Sequence, residues 1–188
     1  MLFNNKPGRA GPQEDLANLR ITDARIGDTL SVTGAADDFT DIDFTVDRCD
    51  QYEAGSRRWN ELSGSWRDRR VYLEVHNEGT VEVLGNFDGR SLTLDEIGLS
   101  EDDLAQLDER QNPADFFDYD AKFWLYRFSR EIGVFTGGKA NGRGFYCWQF
   151  AEQGGKRFLS FRKFEGEPFK ASIWVKVEPS DISVFRGA

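Results

Sequence analysis

Three observations predict a mainly β fold for this 188-residue chain, an antiparallel meander or barrel-like arrangement of two related β units joined by a short acidic helix. Short runs of alternating apolar and polar residues recur along the chain, separated by Gly, Pro and Asn turns. Aromatic residues make up 14% of the sequence while Met occurs once, which predicts a rigid core of Phe, Trp, Leu, Ile and Val. Only one stretch carries helix-capping signals. The length suits one compact domain, laid out as a loose segment over 1–20, a first β unit over 21–94, an acidic helical linker over 95–120 and a second β unit over 121–188.

In the first segment, Asp15 to Arg20 can make a turn of helix, and no apolar run resembles the core of a secretion signal. Cys49 and Cys147 stand far apart and form no CxxC pair, so neither a zinc site nor a disulfide framework is expected, and a cytoplasmic location fits. The first β unit opens with Arg25 to Val32, a strand interrupted by a Gly27-Asp28 bend. Asp41 to Asp47 then alternates strictly, with Ile42, Phe44 and Val46 on one face. Asp41, Asp43 and Asp47 imitate the first, third and seventh positions of an EF-hand loop. Val46 replaces the obligatory Gly and Tyr52 the bidentate Glu, so a solvated strand face is the expectation and no metal is assigned.

Residues 57 to 75 read as the central hairpin. Trp59 and Glu61 fall on one face and Asn60 and Leu62 on the other, and Val71, Leu73 and Val75 alternate with Tyr72, Glu74 and His76. Ser63-Gly64-Ser65 reads as the reversal, with Trp66-Arg67-Asp68-Arg69-Arg70 as a bulky cationic tip. Thr80 to Leu84 is the next strand, and Gly85 to Gly89 closes the unit. In the linker, Ser100 and Asp103 match an N-cap and its third helical position, Leu104 and Leu107 form an apolar edge, and Asn112-Pro113 stops the helix near Arg110. Strands are then expected over 122–128, 132–136, 145–151, 157–164, 169–177 and 182–185, after an aromatic opening at Phe116, Phe117 and Tyr119.

A repeat suggests itself. Trp59-x-Glu61-Leu62, followed by Arg70 and then Glu78-Gly79, has a counterpart in Trp148-x-Phe150, Arg157 and Glu165-Gly166, with the same interval from Arg to Glu-Gly.

Charge is unevenly distributed. Residues 95–120 hold ten acidic side chains against Arg110 alone, which accounts for the whole net charge of −9, whereas 57–70 carry five Arg against Glu61 and Asp68. Non-specific duplex nucleic acid binding is therefore not expected, but local anion binding is. The Gly-rich stretch 136–144 lacks the GxxxxGK[ST] pattern and runs into a strand, so it reads as a hairpin loop and not as a phosphate cradle. His76, the single histidine, reads as an exposed strand-end residue and Cys147 as a buried, inert thiol, so no catalytic residue and no cofactor is assigned.

The run Trp59 to Leu62, the run Arg69 to Val75, and the later Phe145-Tyr146-Cys147-Trp148 with Leu159-Ser160-Phe161 resemble the bacterial domain of unknown function (DUF) 4178 family over roughly residues 22 to 185. The resemblance implies a cytoplasmic β-rich module with no assigned catalytic residues, encoded near PspA-like membrane-remodelling proteins, small membrane proteins and polyamine-synthesis enzymes. It maps no site residue onto this chain. The expected function is a non-enzymatic interaction or accessory module in a membrane-stress or membrane-remodelling system, with a PspA-like or small membrane protein as partner. Two alternatives stand beside it. One is peripheral binding to anionic membrane through Trp66, Arg67, Arg69 and Arg70, which competes with pairing of these arginines to the acidic 95–120 segment; the other is an enzyme assembled from the Gly-rich loop and scattered carboxylates.

Overall fold

The computed structural model describes residues 18–187. Its strands, in chain order, are β1 (Thr29–Val32), β2 (Ile42–Thr45), β3 (Arg48–Ala54), β4 (Arg57–Trp66), β5 (Arg69–Glu78), β6 (Thr80–Asn86), β7 (Phe116–Tyr119), β8 (Lys122–Phe135), β9 (Arg143–Glu152), β10 (Arg157–Phe164), β11 (Lys170–Val177) and β12 (Ile182–Phe185). Helices α1 (Leu94–Ile97) and α2 (Glu101–Arg110) lie between β6 and β7.

Two four-stranded antiparallel meanders, β3-β4-β5-β6 and β8-β9-β10-β11, meet at both edges. β6 pairs with β11, and β3 pairs with β8 through Gln51–Phe135 to Glu53–Gly133. The result is a closed eight-stranded barrel, the barrel-like expectation in its complete form, with β7 added alongside the first part of β8. A separate sheet, β12-β1-β2, packs outside the first meander. Leu30, Ile42 and Phe44 meet Leu62, Val71 and Leu73 in that outer core. The two helices cover the second meander.

Helix α2 forms where its signals place it. The Ser100 hydroxyl accepts from Asp103 N while the Asp103 carboxylate accepts from Ser100 N, a reciprocal cap of about 1 kcal/mol. Leu104 and Leu107 are buried on the barrel wall with Trp124, Trp148 and Phe161, each contributing about 1.5–3 kcal/mol. The 95–120 region is therefore a packed layer that ends in strand β7, and more than a linker.

Several sequence expectations change. The hairpin reverses at Arg67-Asp68, and Ser63-Gly64-Ser65 lies inside β4, with Gly64 opposite Val71. Gly64 serves close packing: a Cβ there would stand 2.1 Å from the Thr45 carbonyl oxygen. Arg67 itself takes the left-handed conformation that the two-residue turn requires, with φ 52°. β1 starts at Thr29, after the Gly27-Asp28 turn. Strand β3 and helix α1 were not anticipated, and the strands expected over 122–128 and 132–136 are one, β8. The expected helical turn over 15–20 lies partly outside the described residues, and 18–20 are not helical. The two meanders share a layout, but the suggested sequence repeat does not match residue by residue: Trp59 faces the barrel interior, whereas Trp148 packs outside against α2, donating its Nε1 to the Leu104 carbonyl at 3.1 Å. Strand parity explains this, since a slip of one residue exchanges the two faces. Among the described residues no helix is long and apolar enough to cross a membrane.

Candidate functional site: the barrel interior

The two meanders turn a row of polar and aromatic side chains inward. β4 and β5 supply Trp59, Glu61, Glu74 and His76, while β9 and β10 supply Cys147, Gln149, Ser160 and Arg162. They enclose a chamber of about 320 Å³, at the lower end of the range for small-ligand sites. A second chamber of about 230 Å³ lies toward the opposite end, near Tyr72, Asn86 and Lys170. Arg162 lines both. It forms the floor between them.

That floor is a buried charge cluster. Arg162 Nη2 donates to Glu74 Oε1 at 2.7 Å, and its Nη1 lies 3.5 Å from Glu61 Oε2 without hydrogen-bond geometry. The guanidinium sits among the Tyr52, Phe145 and Trp174 rings, 5.5, 5.4 and 5.3 Å from their centroids. Burial alone would lower the Arg162 pKa, but the acidic groups of Tyr52, Glu61 and Glu74 around it hold it above its ordinary value. Glu61 moves the other way for a carboxylate. Burial pushes its pKa up, Arg162 opposes this, and the Glu74 carboxylate adds to it.

Above the floor stands an aromatic wall. The Trp59 indole stacks between Tyr52, at 5.7 Å and 14°, and His76, at 5.0 Å and 21°. His76 Nε2 also lies 3.5 Å from Glu74 Oε2, so this histidine lines the chamber, contrary to the exposed position expected for it. Trp59 Nε1 and Arg162 Nε are buried without a hydrogen-bond partner among the described residues. Cys147 shares the chamber. Its thiol meets the Trp148 carbonyl at 3.8 Å and burial pushes its pKa up to about 12, so it carries no thiolate at neutral pH.

One irregularity shapes the opposite wall. Between β8 and β9 the register passes from Tyr126–Phe150 to Phe128–Gln149, leaving Arg127 as an extra residue in a β-bulge. Before the bulge, Trp124 and Tyr126 face outward into the α2 layer; after it, Phe128, Arg130 and Ile132 face inward, although all five share one sequence parity. Ser129 and Tyr126 instead join Asp108 of α2 in a hydroxyl network that Tyr146 completes. The bulge thus brings Arg127, Phe128 and Arg130 into the chamber together. Period-two reading puts Arg127 and Arg130 on opposite faces, which is why sequence reasoning missed them. Arg162 shares the period-two face of Phe158 and Ser160 in β10, and that alternation was the signal available for it.

The hairpin residues singled out in the sequence lie elsewhere, at the end of β4 and β5. Arg67 lies over the Trp66 ring at 4.2 Å and pairs with Asp38 at 3.2 Å; Arg69 lies 5.7 Å from that ring and 3.4 Å from Asp68. Arg70 pairs with Asp47 and donates to Ser63 Oγ. These carboxylates, and not those of 95–120, are their partners. Asp47 is in this way an arginine partner, Asp41 accepts from Gly34 N, and the Gly-rich stretch forms the β8–β9 loop, where Gly137 N donates to Asp50 Oδ1 at 2.9 Å. No group of acidic, Cys or His side chains suited to a metal occurs among the described residues. Family models, curated proteins and solved structures give no match to this chain.

Proposed function

We propose that the chain is a non-enzymatic binding module that holds a small organic molecule inside its barrel. This replaces the expected protein or membrane partner with a small molecule held in the interior. The observation that carries it is the chamber of about 320 Å³, walled by Trp59, Tyr52 and Phe145 and floored by the Arg162 cluster. A closed eight-stranded barrel has room either to fill with side chains or to keep space for one ligand. Here the side chains on the inner face are polar, aromatic and partly unpartnered, which is poor composition for a core and suitable for a site.

The test is thermal unfolding of the protein against a library of small organic compounds, in parallel with a Leu84→Trp variant. Leu84 lines the chamber and is half-buried, so the larger side chain fills the space with little disturbance to the outer cores. A ligand at a hundred times its Kd should stabilise the wild type by about 2.7 kcal/mol and the variant hardly at all. Stabilisation that survives in the variant, or none across the library, would place the function outside the barrel.

A further inference from the structure

We propose that the occupant of the chamber is an aromatic acid, a flat ring system bearing a carboxylate or phosphate, whose acid group is taken by Arg127 and Arg130. This rests on the reading of the barrel as a binding site. The chamber is lined by five basic side chains against the carboxylates of Glu74 and Glu82. Arg162 is matched to Glu74, and Arg57 pairs with Glu78 at 3.3 Å. Arg127, Arg130 and Lys176 have no carboxylate within ion-pair distance among the described residues.

The two arginines are held in place without being neutralised. Arg127 donates to Gln149 Oε1 at 2.6 Å and lies over the Phe158 ring at 4.7 Å. Gln149, itself buried, is fixed by donating Nε2 to Ser160 Oγ at 3.2 Å. Arg130 lies 3.8 Å over the Phe128 ring. The bulge at Arg127 delivers both to one wall, and each feels the other groups around it. Burial lowers the Arg127 pKa and Arg130 adds to that, with Glu82 opposing; burial lowers that of Arg130 and Arg57 adds to it, with Glu78 opposing. Oriented cations at the chamber wall, Arg130 half-buried and Arg127 more exposed, each facing like charge, form a preorganised anion site. Across the chamber, Tyr52 and His76 take both faces of Trp59, so this stack offers an aromatic edge against which a ligand ring can pack.

The experiment is calorimetric titration with acid and neutral partners of the same body: 2-naphthoate against 2-naphthamide, and 1-naphthyl phosphate against 1-naphthol. The proteins are wild type, Arg127→Gln, Arg130→Gln and Leu84→Trp. At least one acid should bind tenfold or more tighter than its neutral partner, lose that margin in both Gln variants, and fail to bind Leu84→Trp. Which of the two acids prevails separates carboxylate from phosphate. Neutral partners that bind as tightly as the acids, or acids indifferent to both Gln variants, overturn the acid inference while leaving the barrel as a binding site. Failure of every compound overturns both. Ligand-free stability is an independent readout at Arg130, which stands near the like charge of Arg57: Arg130→Gln should melt about 2 °C or more above wild type, whereas a lower melting temperature would make this arginine structural and overturn its part in the proposal.

Discussion

Two clusters of arginine on aromatic rings occur in this protein, and they differ in a way their sequences do not show. At the hairpin tip, Arg67 and Arg69 lie over Trp66 with Arg70 beside them in β5, and each of the three has a carboxylate from Asp38, Asp68 or Asp47. In the barrel, Arg127 and Arg130 lie over Phe158 and Phe128, Arg127 donating only to the neutral Gln149, while Arg162 donates to Glu74 and lies near Glu61. Local basicity is thus a weak guide to binding. What matters is whether the fold has already supplied the counter-charge, and in the barrel it has done so for the floor but not for the wall.

The comparison breaks most visibly at Arg162. An Arg162→Leu substitution leaves Glu61 and Glu74 buried together and should cost about 3–5 kcal/mol, read as a lower midpoint in urea unfolding. Adding Glu61→Gln and Glu74→Gln to that variant should recover part of the loss. No recovery would mean that the arginine stabilises by packing on its three rings and not through charge.

Glu61 gives the next effect. Its pKa in the folded chain lies above the unfolded value, so its protonated form stabilises the fold at low pH, and this contribution disappears as pH rises through the raised pKa. Glu61→Gln should therefore be more stable than wild type by about 1 kcal/mol at neutral pH, near the low end for relieving a buried ion, and should lack that part of the pH dependence. Urea midpoints measured from pH 4 to 8 for both proteins decide it. A destabilised variant would show that the 3.5 Å approach to Arg162 outweighs burial.

The hairpin should respond less. Asp47 and Arg70 are partly exposed, so Asp47→Asn should cost at most about 1 kcal/mol by the same measurement. The smallest effect is expected at a membrane: replacing Arg67, Arg69 and Arg70 with Ala should leave co-sedimentation with anionic liposomes unchanged at low salt. Salt-sensitive binding that the triple variant loses would instead make the tip a headgroup reader and erase the contrast between the clusters.

Much of the secondary structure was legible because it is local. The Ser100 cap, Leu104 and Leu107, the alternation of Ile42, Phe44 and Val46, and strands β10 and β12 all declare themselves within a few residues. The face assignment of Trp59 and Glu61 against Leu62 was also correct, since it needs only period two. Gly64 shows where local reading stops. Its sequence context suits a turn, yet the glycine is required by strand β2 packing against it, nearly twenty residues away along the chain.

By itself, then, the sequence determined a β-rich chain with a capped acidic helix, an aromatic core and an uneven charge distribution, because propensity, capping and periodicity act over short distances. Only the tertiary structure decided that β3 meets β8 and β6 meets β11 to close a barrel, that one extra residue at Arg127 redirects half a strand into its interior, and which arginines are left facing a chamber without a carboxylate. Those outcomes depend on pairings between distant segments and on a one-residue change of register, and neither leaves a mark in any window short enough to read.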